Sequence, residues 1–414
     1  MSSEMKRKSC IAAILVLAAV GALTWHMATR AGRPPNILLI TVETLRRDHC
    51  SLYGYDRDTT PFLRELAAES IVFDNGWSHS SWTYPSMACV LSGRMPQETG
   101  VWHEGSEPGA GLLLWLTALR DRGYRAGAVT SNRFVGRLTA AAPDCWDRRE
   151  AYHDPRADEL VARALAFTRS GSGEPWFVAC HLFDPHSPYD PPSATSAHWL
   201  VPAAPRLPAD NLGPKTIKPL RPISGDERRH IVARHDAEIR YLDRELRLLV
   251  DSLRWDDQWD NTCLILTADH GERFGDEGWG HGGKPTDAVT AVPFLVRLPG
   301  GRLGGTRTDA LVGGIDVLPT LLTQAGVPVP EDLPGVNAVS LLNDPRPGRV
   351  LEQHVVGIDW QDEGKTTYAL RNRHRGRLCG TTHSIEEVPV TPADAAPQAG
   401  DESVLADLRD LGYL

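Results

Sequence analysis

The sequence predicts an α/β fold: a large mixed, mostly parallel sheet sandwiched by helices, with a small C-terminal α+β subdomain. Two observations carry this. Short, uncharged apolar runs such as Asn36–Val42, Trp176–Leu182 and Cys263–Ala268 have strand length and the composition of strands buried on both faces. Between them lie stretches whose apolar residues recur every three or four positions, as an amphipathic helix requires. A third observation points to a site. The run Cys263–Ala268 stops abruptly at adjacent Asp269 and His270 followed by Gly271, and in open α/β sheets ligands gather outside the carboxyl ends of the strands.

Composition sets the bounds. The chain has 414 residues, 41% hydrophobic and 23% charged, an ordinary balance for a globular α/β protein with a large core. Its formal net charge of -9, with no basic face, argues against a nucleic-acid partner. Lys6, Arg7 and Lys8 precede an apolar run from about Cys10 to Trp25, the layout of a signal peptide or a signal anchor. With no clean small-residue cleavage site, residues 1–33 read as an anchor that tethers an exported, periplasmic or extracellular body to the membrane. The seven cysteines show no C-x-x-C spacing. Most read as small buried hydrophobes, and Cys50, Cys89 and Cys145 are those a disulfide would draw on.

Taken in order, Asn36–Val42 is a strand that delivers Glu43 to the same sheet edge as Asp269. Thr60-Pro61 opens a helix to about Glu69, with Thr60 as N-cap and proline in the first turn. Ile71 to Phe73 is a short strand. Pro85 fits the first turn of a helix ending near Leu91. Thr83 then lies just before that helix, either as a simple N-cap or as a hydroxyl facing an anion held at the helix start. Leu112 to Arg122 is an amphipathic helix stopped by Gly123. Ala126 to Thr130 is the next strand, and it delivers Ser131, Asn132 and Arg133 to a loop where Asn132 is a candidate substrate contact. A helix from Ala157 to about Ser170 and the strand Trp176–Leu182 follow, the latter leading to His186. Pro191 to Ser224 is proline-rich and irregular, as a binding loop or lid would be. A long amphipathic helix spans Ile231 to Leu253. After Asp269, His270 and His281 come a strand at Val292–Leu298 and a helix from Ile315 to Ala325. From Arg346 the pattern weakens to strands at Val350–Val356 and Thr366–Leu370 and an amphipathic segment from Asp401 to Leu411. The division is therefore 1–33, a catalytic body at 34–345 and a small subdomain at 346–414.

The stretches Pro35–Asp48, Thr59–Leu63, Trp82–Ser86, Asp184–Tyr189, Ala268–Glu272, Gly280–Gly282 and Leu411–Leu414, in this order and spacing, together resemble the sulfatase family of the alkaline phosphatase superfamily. The resemblance implies a metal-bound, activated nucleophile acting on a sulfate or phosphate ester. It places Glu43, Asp269 and His270 at metal-ligand positions and Thr83 at the nucleophile position, also in touch with the metal. His186 and His281 match residues that hold ester oxygens or protonate the leaving group, and Lys284 adds positive charge nearby.

The chain departs from that pattern. Sulfatases carry Cys or Ser in C/S-x-P-S-R, converted to formylglycine; here the slots read Thr83-Tyr-Pro-Ser-Met87. A threonine cannot give that aldehyde, so no formylglycine is expected, and Met87 removes the arginine. Glu43 stands where sulfatases use Asp. Glu43, Thr83, Asp269 and His270 are instead similar to the single-zinc centre of the phosphoethanolamine transferases, which carry several membrane helices ahead of the catalytic domain.

One imidazole with carboxylates and a hydroxyl suits one divalent metal, zinc first, then manganese, with calcium less matched because it prefers oxygen throughout. An unmodified hydroxyl suits phosphoryl transfer better than sulfuryl transfer, because formylglycine offers an elimination route for losing sulfate that a threonine ester lacks. The substrate is then an anionic ester: a glycan, a lipid headgroup or a small molecule. The alternatives are a phosphoethanolamine-type phosphotransferase, or a non-catalytic relative that binds an anionic glycan or headgroup, with Met87 and Glu43 as marks of lost activity.

Overall fold

The computed structural model describes residues 33–344 apart from 102–103, 110, 153–154, 197–198, 200–221, 276–277 and 283–284, together with the backbone of four strands between 350 and 387. The N-terminal apolar run, Lys284, most of the proline-rich stretch and the segment from Asp401 to Leu411 lie outside the described residues. Among the described residues no helix is long and apolar enough to cross a membrane.

Eight strands form the main sheet: β1 (Asn36–Val42), β2 (Ile71–Trp77), β3 (Arg125–Thr130), β4 (Arg148–Ala151), β5 (Trp176–Leu182), β6 (Thr262–Ala268), β9 (Phe294–Arg297) and β10 (Thr306–Gly313). Their order is β10-β2-β9-β6-β1-β5-β3-β4. Only β9 runs antiparallel to its neighbours, so the sheet is mixed and mostly parallel, as expected. A two-residue pair, β7 (Arg273–Phe274) and β8 (Trp279–Gly280), closes the loop after β6. Towards the C-terminus β11 (Val350–Val356), β12 (Thr366–Asn372), β13 (Arg377–Thr381) and β14 (Ser384–Glu387) form an antiparallel meander.

Helices cover both faces because successive side chains of a buried strand point to opposite sides. Ile37 and Leu39 of β1 pack with Met87 and Val90 of α2 (Thr83–Ser92), Leu116 of α3 (Trp115–Asp121), Leu138 of α4 (Arg133–Ala140) and Leu321 of α7 (Val317–Gln324). Leu38 and Ile40 pack on the other side with Phe62 of α1 (Pro61–Leu66), Leu160 of α5 (Ala157–Arg169) and Leu242 and Leu246 of α6 (Gly225–Trp255). Full burial of each such aliphatic side chain contributes roughly 1.5–3 kcal/mol. A slip of one residue in β1 would exchange the two sets, so the packing holds the strand in register.

Several local expectations are corrected. Thr60 does not cap α1 with its side chain. Its hydroxyl accepts from Leu52 N at 3.1 Å, and the cap comes from Asp243 of α6, whose two oxygens accept from Phe62 N and Leu63 N at 2.8 and 3.0 Å. Thr83 is the first residue of α2, after Trp82, and α3 begins at Trp115. No disulfide joins Cys50, Cys89 and Cys145: all three are free and buried, as are Cys180 and Cys263. The strands β4 and β10 were not foreseen. They lie at the two edges of the sheet, and the exposed and half-buried side chains of β4 and the first half of β10 leave no apolar run to read.

Candidate active site

The site is built by strand register. Thr41 and Glu43 are two residues apart on β1 and its continuation, so they share a face. Thr41 pairs with His181 on β5 and with Thr267 on β6, and Asp269, two beyond Thr267, joins that face. Main-chain bonds from Glu43 N to Leu182 O (2.9 Å) and from Asp269 N to Val42 O (3.1 Å) carry the pairing one residue past the strands. Two carboxylates are thereby held side by side at the carboxyl edge.

Thr44, next along the chain, has a positive φ of 55°, which is costly for a β-branched residue. The turn points Thr44 N at Asp269 Oδ1, 3.2 Å away. Gly271 is dictated by space: a Cβ there would lie 2.1 Å from Ala288 O. The first turn of α2 is pinned to the end of β6, because the Ser86 and Ser78 hydroxyls both reach the Asp269 carbonyl. Gly282 N donates to Ser81 O at 2.6 Å, drawing the His281 loop to the residues just before Thr83.

These elements bring together all of the predicted side chains that lie among the described residues. Thr83 Oγ1 lies 3.0 Å from Glu43 Oε1 and 3.2 Å from His270 Nε2. Asn132, the N-cap of α4, donates Nδ2 to both Glu43 oxygens at 2.8 and 3.0 Å. It is therefore a carboxylate partner in this arrangement. His186 Nε2 stands 3.7 Å from Glu43 Oε1, and the His281 ring lies 5.0 Å from that of His186 and 4.7 Å from that of His270.

Two further residues belong to the site and were not anticipated. His181 bridges Thr41 Oγ1 (2.9 Å, through Nδ1) and Glu43 Oε2 (3.2 Å, through Nε2). Its only signal in the sequence was one imidazole inside an otherwise uncharged strand. Glu272 holds His281 Nδ1 at 3.1 Å and accepts from Tyr189 at 3.1 Å; Tyr189 lies too far along the chain for a local pattern to reveal.

The donor balance of this cluster suits a cation. His270 Nδ1 donates to Gly271 O at 2.8 Å, so in the neutral ring Nε2 offers only a lone pair. Burial, followed by the neighbouring His281, pushes His270 down to about 3, which keeps that ring neutral. The single Thr83 proton faces two acceptors, Glu43 Oε1 and His270 Nε2. Asp269 Oδ2 is buried with no hydrogen-bond partner, 3.4 Å from His270 Nε2. Burial and then the facing Glu43 push Asp269 up to about 8. Burial also opposes the charge on Glu43, but His186, His181 and His270 outweigh it and hold that carboxyl below its usual range. Ligand atoms of Glu43, His181 and Asp269 lie within 4.8 Å of one another. A buried, unpartnered carboxylate oxygen facing a second carboxylate and imidazole nitrogens fits a divalent ion.

Comparison with known proteins gives the class, a hydrolase acting on sulfuric or phosphoric ester bonds. The sulfatase family model matches residues 35–327, and the chain belongs to the sulfatase family. Among curated proteins it is similar to a choline-sulfatase of Rhizobium meliloti, 25% identical over 369 residues covering 74% of this chain and 71% of that one. It is also similar to an arylsulfatase of Clostridium perfringens, 22% identical with 75% and 79% covered. A structure solved in complex with its substrate D-glucosamine-2-N,6-O-disulfate superposes with a TM-score of 0.71 at 18% identity, covering 86% of this chain and 90% of that one. The phosphonate monoester hydrolase of Agrobacterium radiobacter superposes at 0.70 with 17% identity and 92% and 94% covered. At such identities the two structures speak for the fold.

Proposed function

We propose that this chain cleaves an anionic phosphoryl ester with Thr83 as direct nucleophile at a single divalent metal, zinc by preference. The observation that supports the reading most is the placing of Thr83 Oγ1 at the first residue of α2, 3.0 Å from Glu43 and 3.2 Å from His270. Glu43, Asp269, His270 and the newly found His181 would hold the ion. Two imidazoles with two carboxylates favour zinc or manganese over calcium more than the expected single imidazole did. When bound, such an ion supplies Lewis acidity, lowering the pKa of the Thr83 hydroxyl and offsetting charge on the ester oxygens.

The residues divide the remaining work. Thr83 attacks in line and forms a phosphothreonine, while the start of α2 favours the anion. His281 or His186 protonates the departing alkoxide; water then attacks the phosphorus of the phosphothreonine, the bond to Thr83 Oγ1 breaks, and the threonine hydroxyl is restored as phosphate leaves. Lys284 is proposed to add positive charge at the substrate. Asn132, by holding both Glu43 oxygens, sets the direction of that carboxylate. Thr83 cannot provide formylglycine chemistry, which is why phosphorus is preferred over sulfur here. Residues 1–33 are proposed to export the body and tether it to the membrane; cell fractionation of the full chain tests this.

Intact-mass measurement tests the central claim. Metal-loaded full-length protein is incubated with matched aryl phosphate diester, phosphate monoester and sulfate ester. A phosphoryl adduct on Thr83, absent in Thr83→Ala, is the expected result, and its transfer to an added alcohol would mark a transferase. Turnover of the sulfate ester by pure protein would overturn the phosphoryl preference. No adduct, no turnover and no bound metal would leave a binding protein.

A further inference from the structure

We propose that Glu272 is a positioning residue that fixes His281 as the proton donor to the leaving group, and that Tyr189 ties the same carboxylate to the loop carrying His186. The inference rests on the ester-cleavage reading above and names which of the two histidines delivers the proton.

Glu272 is 1% exposed. Its Oε2 stands 3.1 Å from His281 Nδ1 and its Oε1 stands 3.3 Å away, so the ring nitrogen faces the fork of the carboxylate. The Tyr189 hydroxyl donates to Oε2 at 3.1 Å, and the Glu272 backbone is held separately, its carbonyl accepting from Arg46 at 2.8 Å. A carboxylate accepts and does not donate, so Nδ1 must carry the proton in this contact and Nε2 is left as the working nitrogen. The ring is stacked obliquely between those of His270 and His186, at 4.7 and 5.0 Å between centroids. His186 differs in its own support: its Nδ1 donates to the neighbouring Ser187 carbonyl at 2.5 Å, a neutral acceptor on a loop, and its Nε2 points at Glu43. Of the two candidates, His281 has its buried carboxylate on Nδ1, which leaves Nε2 to deliver a proton, whereas the carboxylate beside His186 faces its Nε2.

Tyr189 gives the arrangement a second consequence. It packs with Ile231 of α6 and Phe274 of β7 in one apolar cluster, so the Asp184–Tyr189 loop and the His281 loop share one anchor. His186 and His281 are thereby held at a fixed spacing through Glu272.

Thr83 enters as its alkoxide, the proton having left to bulk water, and its oxygen forms the new bond to the central atom of the ester. The bond from that atom to the leaving oxygen breaks, the electron pair stays on the leaving oxygen, and that oxygen takes the proton from His281 Nε2. His281 ends neutral, with Nδ1–H still held by Glu272.

The test is a leaving-group comparison with metal-loaded full-length protein and two esters of one acid, 4-nitrophenyl and phenyl. Nitrophenolate departs unaided, whereas phenolate needs the proton. Glu272→Gln is expected to lower kcat/KM on the phenyl ester roughly 10- to 100-fold while changing the 4-nitrophenyl rate little, which also reports that the variant is folded and holds its metal. His281→Ala should show the same split more strongly, and the double variant should be no worse than His281→Ala alone. Equal losses on both esters, or losses that multiply in the double variant, would overturn the role of Glu272. Wild-type protein inert toward every ester would take down the ester-cleavage reading and this inference together; wild-type turnover with unsplit losses removes only the inference.

Discussion

Asp269→Asn should make the metal-free protein more stable while abolishing its response to metal. Without a cation, Asp269 is buried with Oδ2 unpartnered and faces Glu43, and its pKa stands at about 8 against an ordinary 3.8. At pH 7 the unfolded chain ionises this group and the folded chain does not. Three pH units separate 3.8 from 7, so folding carries a cost on the order of 4 kcal/mol. The sign follows from proton binding: between about pH 4 and 8 the folded state binds more protons, so this group's contribution falls as pH rises through that window. Asparagine keeps a side-chain oxygen to accept from Thr44 N and His270 N and carries no charge to bury. Metal-free Asp269→Asn should therefore exceed metal-free wild type by about 4 kcal/mol at pH 7 and somewhat more at pH 8, with the gap closing towards pH 4. Metal at 100 times its Kd should then raise wild type by about 2.7 kcal/mol and leave the variant unmoved. Urea unfolding of chelator-treated and zinc-loaded proteins at pH 5, 7 and 8 reads all of this. A variant less stable than metal-free wild type at pH 7, or one that still gains from zinc, would refute the account of Asp269 as a ligand held in electrostatic tension.

Two shorter predictions follow from residues the sequence did not single out. His181→Ala should weaken zinc binding by at least about 100-fold, beyond the range usual for a residue behind the ligands; competition with a zinc indicator measures it, and a loss below tenfold would put His181 outside the ligand set. Asp243→Ala orphans the Phe62 and Leu63 amides, so it should destabilise the fold by about 2–4 kcal/mol in urea unfolding while leaving kcat/KM of the folded fraction unchanged.

What could be read in advance divides by where the information sits. Glu43 and Asp269 follow directly on uncharged strands, so their place at the carboxyl edge was legible from local pattern alone. Thr83 was legible because Pro85 marks a helix start, although the structure puts it one position further in, as the first helical residue. His181 was not, because nothing local separates a site histidine from a buried one. Its face emerges only from the partition of β5, in which Trp176, Val178, Cys180 and Leu182 pack on one side and Phe177 on the other, and its role from the pairing with Thr41. Glu272 and Asp243 act on partners 83 and 181 residues distant, contacts that belong to the folded chain. The edge strands β4 and β10 escaped because exposure removes the apolar signal on which strand reading depends.

A second buried group of similar composition shows why residue types do not by themselves make a metal centre. Ligand atoms of His49, His235 and Asp236 also lie within 4.8 Å of one another. Yet Asp236 Oδ2 accepts from the Arg57 guanidinium at 2.6 Å and from the Tyr55 hydroxyl at 2.9 Å, and Oδ1 faces His49 Nδ1 at 2.8 Å. A resident cation already answers this carboxylate, and burial works against adding two more positive charges beside it. At Asp269 an oxygen is left unanswered; at Asp236 neither is. What the second group does instead follows from His235, whose Nε2 reaches the Thr44 carbonyl at 3.4 Å. Thr44 holds the strained turn whose amide fixes Asp269 Oδ1. The Asp236 cluster therefore lies as a brace behind the turn that fixes the proposed ligand Asp269, and the strain stored at Thr44 is borne by a network whose own charges are already balanced.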